Sequence, residues 1–202
     1  DADFAKAVAG GVTGCFLNSG QSCNAPTRML VPAARHDEAV EIAKAAAAAV
    51  KPGDPFANGT TIGPVVSEAQ WKKIQGLIQK GIDEGATLVA GGVGRPEGLP
   101  RGYYVRPTIF ANVSNDMTIA REEIFGPVLA VMTFRTPDEA IEKANNLAYG
   151  LSAGVWTDKG AKIFAMTKRL RAGVVWANTF NKFDPTSPFG GYKESGFGRE
   201  GG

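Results

Sequence analysis

Apolar residues recur every four positions at the start of the chain, at Phe4, Val8, Val12 and Phe16, and Asp3 stands where a helix cap is needed. The spacing predicts an amphipathic helix, weakened by Gly10 and Gly11 at its middle. Met29-Leu30-Val31 reads as a short strand, and His36-Asp37-Glu38 opens an alanine-rich helix over Ala39–Val50. A Gly, Pro, Asn and Thr-rich loop covers Asp54–Pro64. Ser67-Glu68-Ala69-Gln70 has the form of a capping box, Ser67 bonding forward and Gln70 reaching back. The helix behind it buries Trp71, Ile74, Leu77, Ile78 and Ile82 and stops at Gly85.

Thr87–Val89 is a further strand, and a glycine-rich excursion runs on to Arg101. Tyr103–Val105 and Thr108–Phe110 are extended, and Val128–Phe134 is a continuous apolar strand. A second capping box, Thr136-Pro137-Asp138-Glu139, starts a helix through Ile141 and Ala144. A strand over Leu151–Trp156, a helix carrying Ile163, Phe164 and Leu170, and a strand over Gly173–Asn178 complete the pattern; from Thr179 it is irregular. Strands alternate with helices, and several strands are apolar on both faces. That predicts an α/β fold with an open, mainly parallel sheet covered by helices on both faces. Functional residues in such sheets gather in loops at the carboxyl ends of strands. No repeat or linker divides the 202 residues, so one domain is expected.

Charge and composition narrow the partners. Lys and Arg total 22 against 20 Asp and Glu, without a basic block interleaved with aromatics, which argues against nucleic acid. The longest apolar run, Val128–Phe134, is too short to span a membrane. Cys15 and Cys23 sit too close together to read as a disulfide framework, and a reducing compartment suits them.

The candidate chemistry centres on Phe16-Leu17-Asn18-Ser19-Gly20-Gln21-Ser22-Cys23, where the first helix ends in a polar turn that carries a thiol. Past the thiol, Pro26 pushes the residue before it, Ala25, toward extended geometry, so the helix does not resume. A thiol on a tight turn offers an electrophile access and backbone N–H groups for an oxyanion. A small core residue is the alternative, and the stretch alone leaves both open. His36, the only histidine, opens a helix, where a surface or capping role suits it better than a Cys–His pair. Gly196-Phe197-Gly198-Arg199-Glu200-Gly201 fits a phosphate-loop pattern without the following helix that such a loop needs; its glycines are read as permitting close passage. Glu122 and Glu123, followed by Phe125-Gly126-Pro127, place acceptors beside an aromatic ring on a stiff loop. Such a loop can hold sugar hydroxyls and flank a flat ring, or be a solvated acidic turn over a core Phe.

Three stretches taken together, Phe16–Cys23, Glu122–Pro127 and Ser187-Pro188-Phe189-Gly190-Gly191-Tyr192-Lys193-Glu194-Ser195-Gly196, resemble in order and spacing the NAD(P)-dependent aldehyde dehydrogenases. The resemblance covers the whole chain, including Tyr104–Thr108 and Asn145–Leu151. It implies that Cys23 attacks an aldehyde, that the thiohemiacetal gives up a hydride to NAD or NADP, and that water hydrolyses the thioester. It implies that Glu123 holds the nicotinamide ribose, that Phe125 lies beside the nicotinamide, and that Gln70 and Lys73 reach the adenosine-side ribose. Phe16, Ser22, Asn24, Phe180 and Phe189 would line a tunnel for an apolar aldehyde, and Cys15 would be core. The reducing compartment that suits the two cysteines is read as the cytoplasm, and the resemblance further implies a homodimeric or homotetrameric parent. Residues 1–202 would then be its catalytic domain alone, the dinucleotide-binding domain and the C-terminal oligomerisation strand lying outside them. The general base, in a Glu-Leu-Gly-Gly motif, and a second oxyanion donor would lie upstream. By itself such a domain should deacylate slowly and hold the dinucleotide weakly. It could act as a Cys-dependent esterase or acyl-transfer catalyst, or be a catalytically silent folding unit.

Overall fold

The computed structural model describes residues 1–202. Its helices are α1 (Phe4–Phe16), α2 (His36–Ala48), α3 (Glu68–Asp83), α4 (Thr118–Arg121), α5 (Pro137–Asn145) and α6 (Gly160–Thr167). Its strands are β1 (Arg28–Pro32), β2 (Thr87–Ala90), β3 (Thr108–Ala111), β4 (Val128–Phe134), β5 (Tyr149–Gly150), β6 (Ser152–Val155), β7 (Val174–Ala177) and β8 (Tyr192–Lys193). Four strands form the main sheet in the order β1-β4-β3-β2. The β1 and β3 strands run parallel to β4, while β2 runs antiparallel to β3.

The continuous apolar character of β4 follows from its central place. Val128, Ala130 and Met132 face one core, shared with Ile74 and Ile78 of α3. Leu129 and Val131 face the other, shared with Val8 and Val12 of α1 and with Ala39, Ala43 and Ala47 of α2. A strand buried on both faces has no polar side to show, and the expected two-sided covering by helices is what the structure has. No helix is long and apolar enough to cross a membrane.

The two capping sequences behave differently. In α5, the Thr136 hydroxyl accepts from the Glu139 N–H at 3.2 Å and the Glu139 carboxylate accepts from the Arg135 N–H at 2.8 Å. In α3, Ser67 accepts from the Gln70 N–H, but the Gln70 side chain does not reach back; it crosses to another loop, described below.

Other boundaries shift for local reasons. The α2 helix begins at His36 and ends at Ala48, and α6 ends at Thr167, before Leu170. Tyr103–Val105 forms no strand. The short α4 is unannounced in the sequence and is held by Glu84, whose carboxylate accepts from the N–H and hydroxyl of Thr118, both at 2.7 Å. The expected Leu151–Trp156 strand is divided: β5 pairs antiparallel with β8, while β6 pairs parallel with β7. Lys193 anchors β8, donating to the carbonyls of Asn145 and Leu147 at 2.7 and 2.9 Å. Both β1 and β6 bond a strand on one side only and border a shared cavity on the other.

Ile78 has no exposed surface in the α3 core. Replacing it by alanine should cost about 3 kcal/mol. Urea denaturation should show a lowered midpoint with unchanged slope.

Candidate active site

The first helix delivers the thiol through three successive residues with left-handed backbone: Asn18 (φ 53°), Ser19 (φ 58°) and Gly20 (φ 71°). Two of these carry side chains that disfavour the conformation, so the surroundings must hold it. The Ser19 hydroxyl donates to the Gly63 carbonyl at 2.7 Å. The Gln21 side chain accepts from the Val66 N–H at 2.8 Å and donates to the Asn18 carbonyl. Asn18 in turn donates to the Gln21 carbonyl. Beyond the turn Cys23 is exposed, and the Asn24 amide donates to Asn181 at 2.6 Å, tying the turn to the C-terminal segment. The Cys23 N–H donates to no acceptor within the protein.

Gly20 lies against the peptide joining Gly126 to Pro127; a Cβ there would collide with the Gly126 carbonyl. Gly126 lies on Ile74 of α3, where a Cβ would come within 2.6 Å of the Ile74 Cδ1. Helix, acidic loop and thiol turn thus form a stack without room for side chains at either glycine. Phe125 has φ 57°, again left-handed. Gln70 Nε2 donates to the carbonyls of Ile124 at 3.1 Å and Phe125 at 3.0 Å, and Lys73 Nζ donates to the carbonyl of Glu123 at 2.8 Å. Gln70 and Lys73 therefore grip the backbone of the Glu123–Phe125 loop.

Two cavities flank the thiol turn. The larger, about 840 Å³, is bordered by Cys23, Glu123 and Phe125. The smaller, about 560 Å³, is bordered by Leu17, Asn24, Trp156, Phe180 and Asn181. Ser22, Ala25, Pro26, Trp156 and Phe180 border both. Ser22, Asn24 and Phe180, read from the resemblance as tunnel residues, all border the smaller cavity. Phe16 does not: it is 1% exposed and belongs to the α1 core, on the same helical stripe as Val8 and Val12. Leu17, one residue later and 54% exposed, faces the cavity instead. Phe189 borders neither cavity. It ends an aromatic chain that runs from Phe180 through Trp176 and Phe183, with ring centroids 4.6, 5.5 and 5.1 Å apart in that order. Leu17 could have been found from its place just outside the apolar stripe; Trp156 and Asn181 have no local signal.

The electrostatics separate the two thiols. Cys15 is buried, donates to the Val128 carbonyl at 3.5 Å, and burial pushes its pKa up to about 12. Tyr149, beside Glu123 and Glu194 on the larger cavity, has its pKa raised by desolvation and then by the negative charges of Glu122, Glu123 and Glu194. Arg28, on the strand leaving the thiol turn, donates to the Lys143 carbonyl at 2.7 Å and to Asn115 at 2.8 Å. Its burial lowers its pKa, and its guanidinium caps the negative end of α5. The Gly196–Gly201 segment opens no helix. Glu200 pairs with Phe189, and Gly190 passes so close to Gly198 that a side chain would not fit.

The aldehyde dehydrogenase family model matches residues 1–202, and the chain belongs to that family. It is 46% identical over 200 residues to a putative aldehyde dehydrogenase, DhaS, of Bacillus subtilis, covering 99% of this chain and 40% of that protein. It is 49% identical over 201 residues to a betaine aldehyde dehydrogenase of Rhizobium etli, covering 99% of this chain and 41% of the relative. Among solved structures, a mutant aldehyde dehydrogenase C of Pseudomonas syringae in complex with NAD+ and octanal superposes with TM-score 0.97 at 48% identity, covering 100% of this chain and 41% of that one. The Mycobacterium tuberculosis aldehyde dehydrogenase in complex with NAD+ gives 0.96 at 47% identity, with the same coverages. The chain spans about two-fifths of the length of these relatives.

Iodoacetamide applied to the folded chain at mildly alkaline pH should label Cys23 alone, because burial disfavours the Cys15 thiolate until far above that pH. Peptide mass spectrometry should find Cys15 modified only after denaturation; equal labelling of both in the folded chain would contradict the assignment.

Proposed function

We propose that this member of the aldehyde dehydrogenase family carries the thiol-bearing catalytic part of an enzyme that oxidises an aldehyde to a carboxylic acid with NAD or NADP. The observation that carries the proposal is the place of the thiol turn between two cavities, one shared by Cys23 with Glu123 and Phe125, the other bordered by Leu17, Asn24 and Phe180. The larger cavity falls within the range that holds small ligands. The Glu123 carboxylate is exposed and takes part in no ion pair with the chain, so it is free to accept from the hydroxyls of a ribose. These residues fit the nicotinamide half of a dinucleotide.

In the proposed reaction the Cys23 thiolate attacks the aldehyde carbon, a C–S bond forms, and the carbonyl oxygen takes the negative charge. The unpaired Cys23 N–H is available to stabilise that oxyanion. A bound nicotinamide supplies the acceptor for the hydride that leaves this carbon. The resulting thioester is hydrolysed by water, which breaks the C–S bond, releases the acid and returns the thiol. On the family resemblance the base for that water and the second oxyanion donor lie outside residues 1–202, as does most of the adenosine half of the cofactor site.

For the aldehyde, Leu17, Trp156 and Phe180 supply apolar surface, supported by the octanal in the Pseudomonas syringae structure. Lys6 and Lys182 also border this cavity and no carboxylate does, which disfavours an aldehyde bearing a quaternary ammonium. The complete protein is read as a homodimer or homotetramer on the family resemblance, and as cytoplasmic on its two unpaired thiols.

The test is NAD(P)H absorbance with the complete polypeptide and a panel of aliphatic, cationic and anionic aldehydes. Uncharged aliphatic aldehydes should turn over, and Cys23→Ala should lower kcat/KM by about a thousandfold or more. Turnover that survives Cys23→Ala would overturn the proposal.

A further inference from the structure

Gln70 and Lys73 stand on the first two turns of α3, and the resemblance assigned both to a cofactor ribose. Their side chains are already engaged. Both hydrogens of a Gln Nε2 can donate, and here they are directed at two successive carbonyls, those of Ile124 and Phe125. Lys73 donates to the carbonyl just before them, that of Glu123. Three consecutive carbonyls of the loop are therefore held by two residues of one helix.

The loop needs such a hold. Phe125 adopts φ 57°, a conformation that disfavours a side-chain-bearing residue and persists only where the surroundings fix it. Its own carbonyl is one of the two that Gln70 binds. From there the chain passes directly into Gly126, wedged between Ile74 and Gly20. Glu123 and Phe125, at the start and end of this held stretch, border the cavity shared with Cys23.

We infer that Gln70 is a positioning residue: its amide clamps the Ile124 and Phe125 carbonyls, holds Phe125 left-handed, and so presents Glu123 and Phe125 to the nicotinamide half of the cofactor. The half-formed capping box has the same origin, since the side chain that could close it is committed to the loop. Gln70 acts through the loop; the ribose and the nicotinamide are touched by Glu123 and Phe125. The inference rests on the dehydrogenase reading for its functional consequence, but not for its structural content.

The experiment therefore has two arms. In the 202-residue chain, NMR relaxation should give order parameters near the rigid value of about 0.85 for Glu123–Gly126, falling below about 0.6 in Gln70→Leu while the core strands stay rigid. Gln70→Glu should be ordered at low pH, where the protonated acid donates to a carbonyl. It should loosen as the carboxylate ionises and faces two acceptors, whereas Gln70→Leu should show no such pH dependence. In the complete polypeptide, Gln70→Leu should raise KM for the dinucleotide about tenfold with the aldehyde KM nearly unchanged. An unchanged loop in Gln70→Leu, or a Gln70→Glu chain without pH-dependent order, overturns the clamp. A raised dinucleotide KM with a rigid loop also overturns it, since Gln70 would then touch the cofactor itself. If the loop loosens but Cys23→Ala leaves dehydrogenase turnover intact, the clamp stands and the dehydrogenase reading fails.

Discussion

Gly20 lies against the carbonyl of Gly126, and Gly126 lies against the side chain of Ile74. This double close approach sets the separation between the turn that carries Cys23 and the loop that carries Glu123 and Phe125. Neither glycine can gain a methyl group without moving a neighbour, and at Gly20 the neighbour is main chain. Close-packed interiors respond to such a change by displacement of whole segments, because there is little void to absorb it. The backbone on both sides is also unusual. Asn18, Ser19 and Gly20 precede the thiol in left-handed conformation, and Phe125 precedes Gly126 in the same conformation. Hydrogen bonds from Ser19 to Gly63 and from Gln70 to Phe125 hold the two strained stretches.

The rest of the fold supplies a rigid base for that contact. The β4 strand leaves the Gly126–Pro127 corner and is buried on both faces, so the loop is anchored at one end in two cores. The α3 helix, which carries Gln70, Lys73 and Ile74, is fixed on its other side by the excursion before β3. Trp71 donates to the Tyr104 carbonyl at 2.8 Å, and the Arg95 guanidinium lies over the Trp71 ring. The thiol turn leads into β1, where Arg28 binds the end of α5. Elements on both faces of the sheet therefore converge on a few residues around Cys23, and the site inherits its rigidity from them.

Much of this was legible in the chain, and the exceptions have physical causes. The uninterrupted apolar run at Val128–Phe134 announced a strand buried on both faces, and the four-residue spacing at Phe4, Val8, Val12 and Phe16 announced the core stripe of α1. That same stripe contradicts a tunnel role for Phe16: its helical phase points it inward, and Leu17 takes the cavity position. The family motifs, not periodicity, singled out Cys23 and Glu123, since an exposed thiol and an exposed carboxylate leave no pattern of their own. The destination of the Gln70 side chain was not legible, because both a capping box and a clamp on a distant loop satisfy the sequence Ser67–Gln70. The pairing of β5 with β8 joins residues more than forty positions apart and depends on Lys193 reaching the end of α5, which no local signal encodes.

The most direct test of the central contact perturbs the loop and reads the thiol. Gly126 has no left-handed φ, so Gly126→Ala leaves the backbone conformation accessible and acts through the clash with Ile74. The rate of Cys23 alkylation should change severalfold in folded Gly126→Ala chain, and should return toward the wild-type rate when Ile74→Ala is added to remove the clashing atoms. A Cys23 alkylation rate identical in wild type and folded Gly126→Ala would contradict the coupling of the two segments.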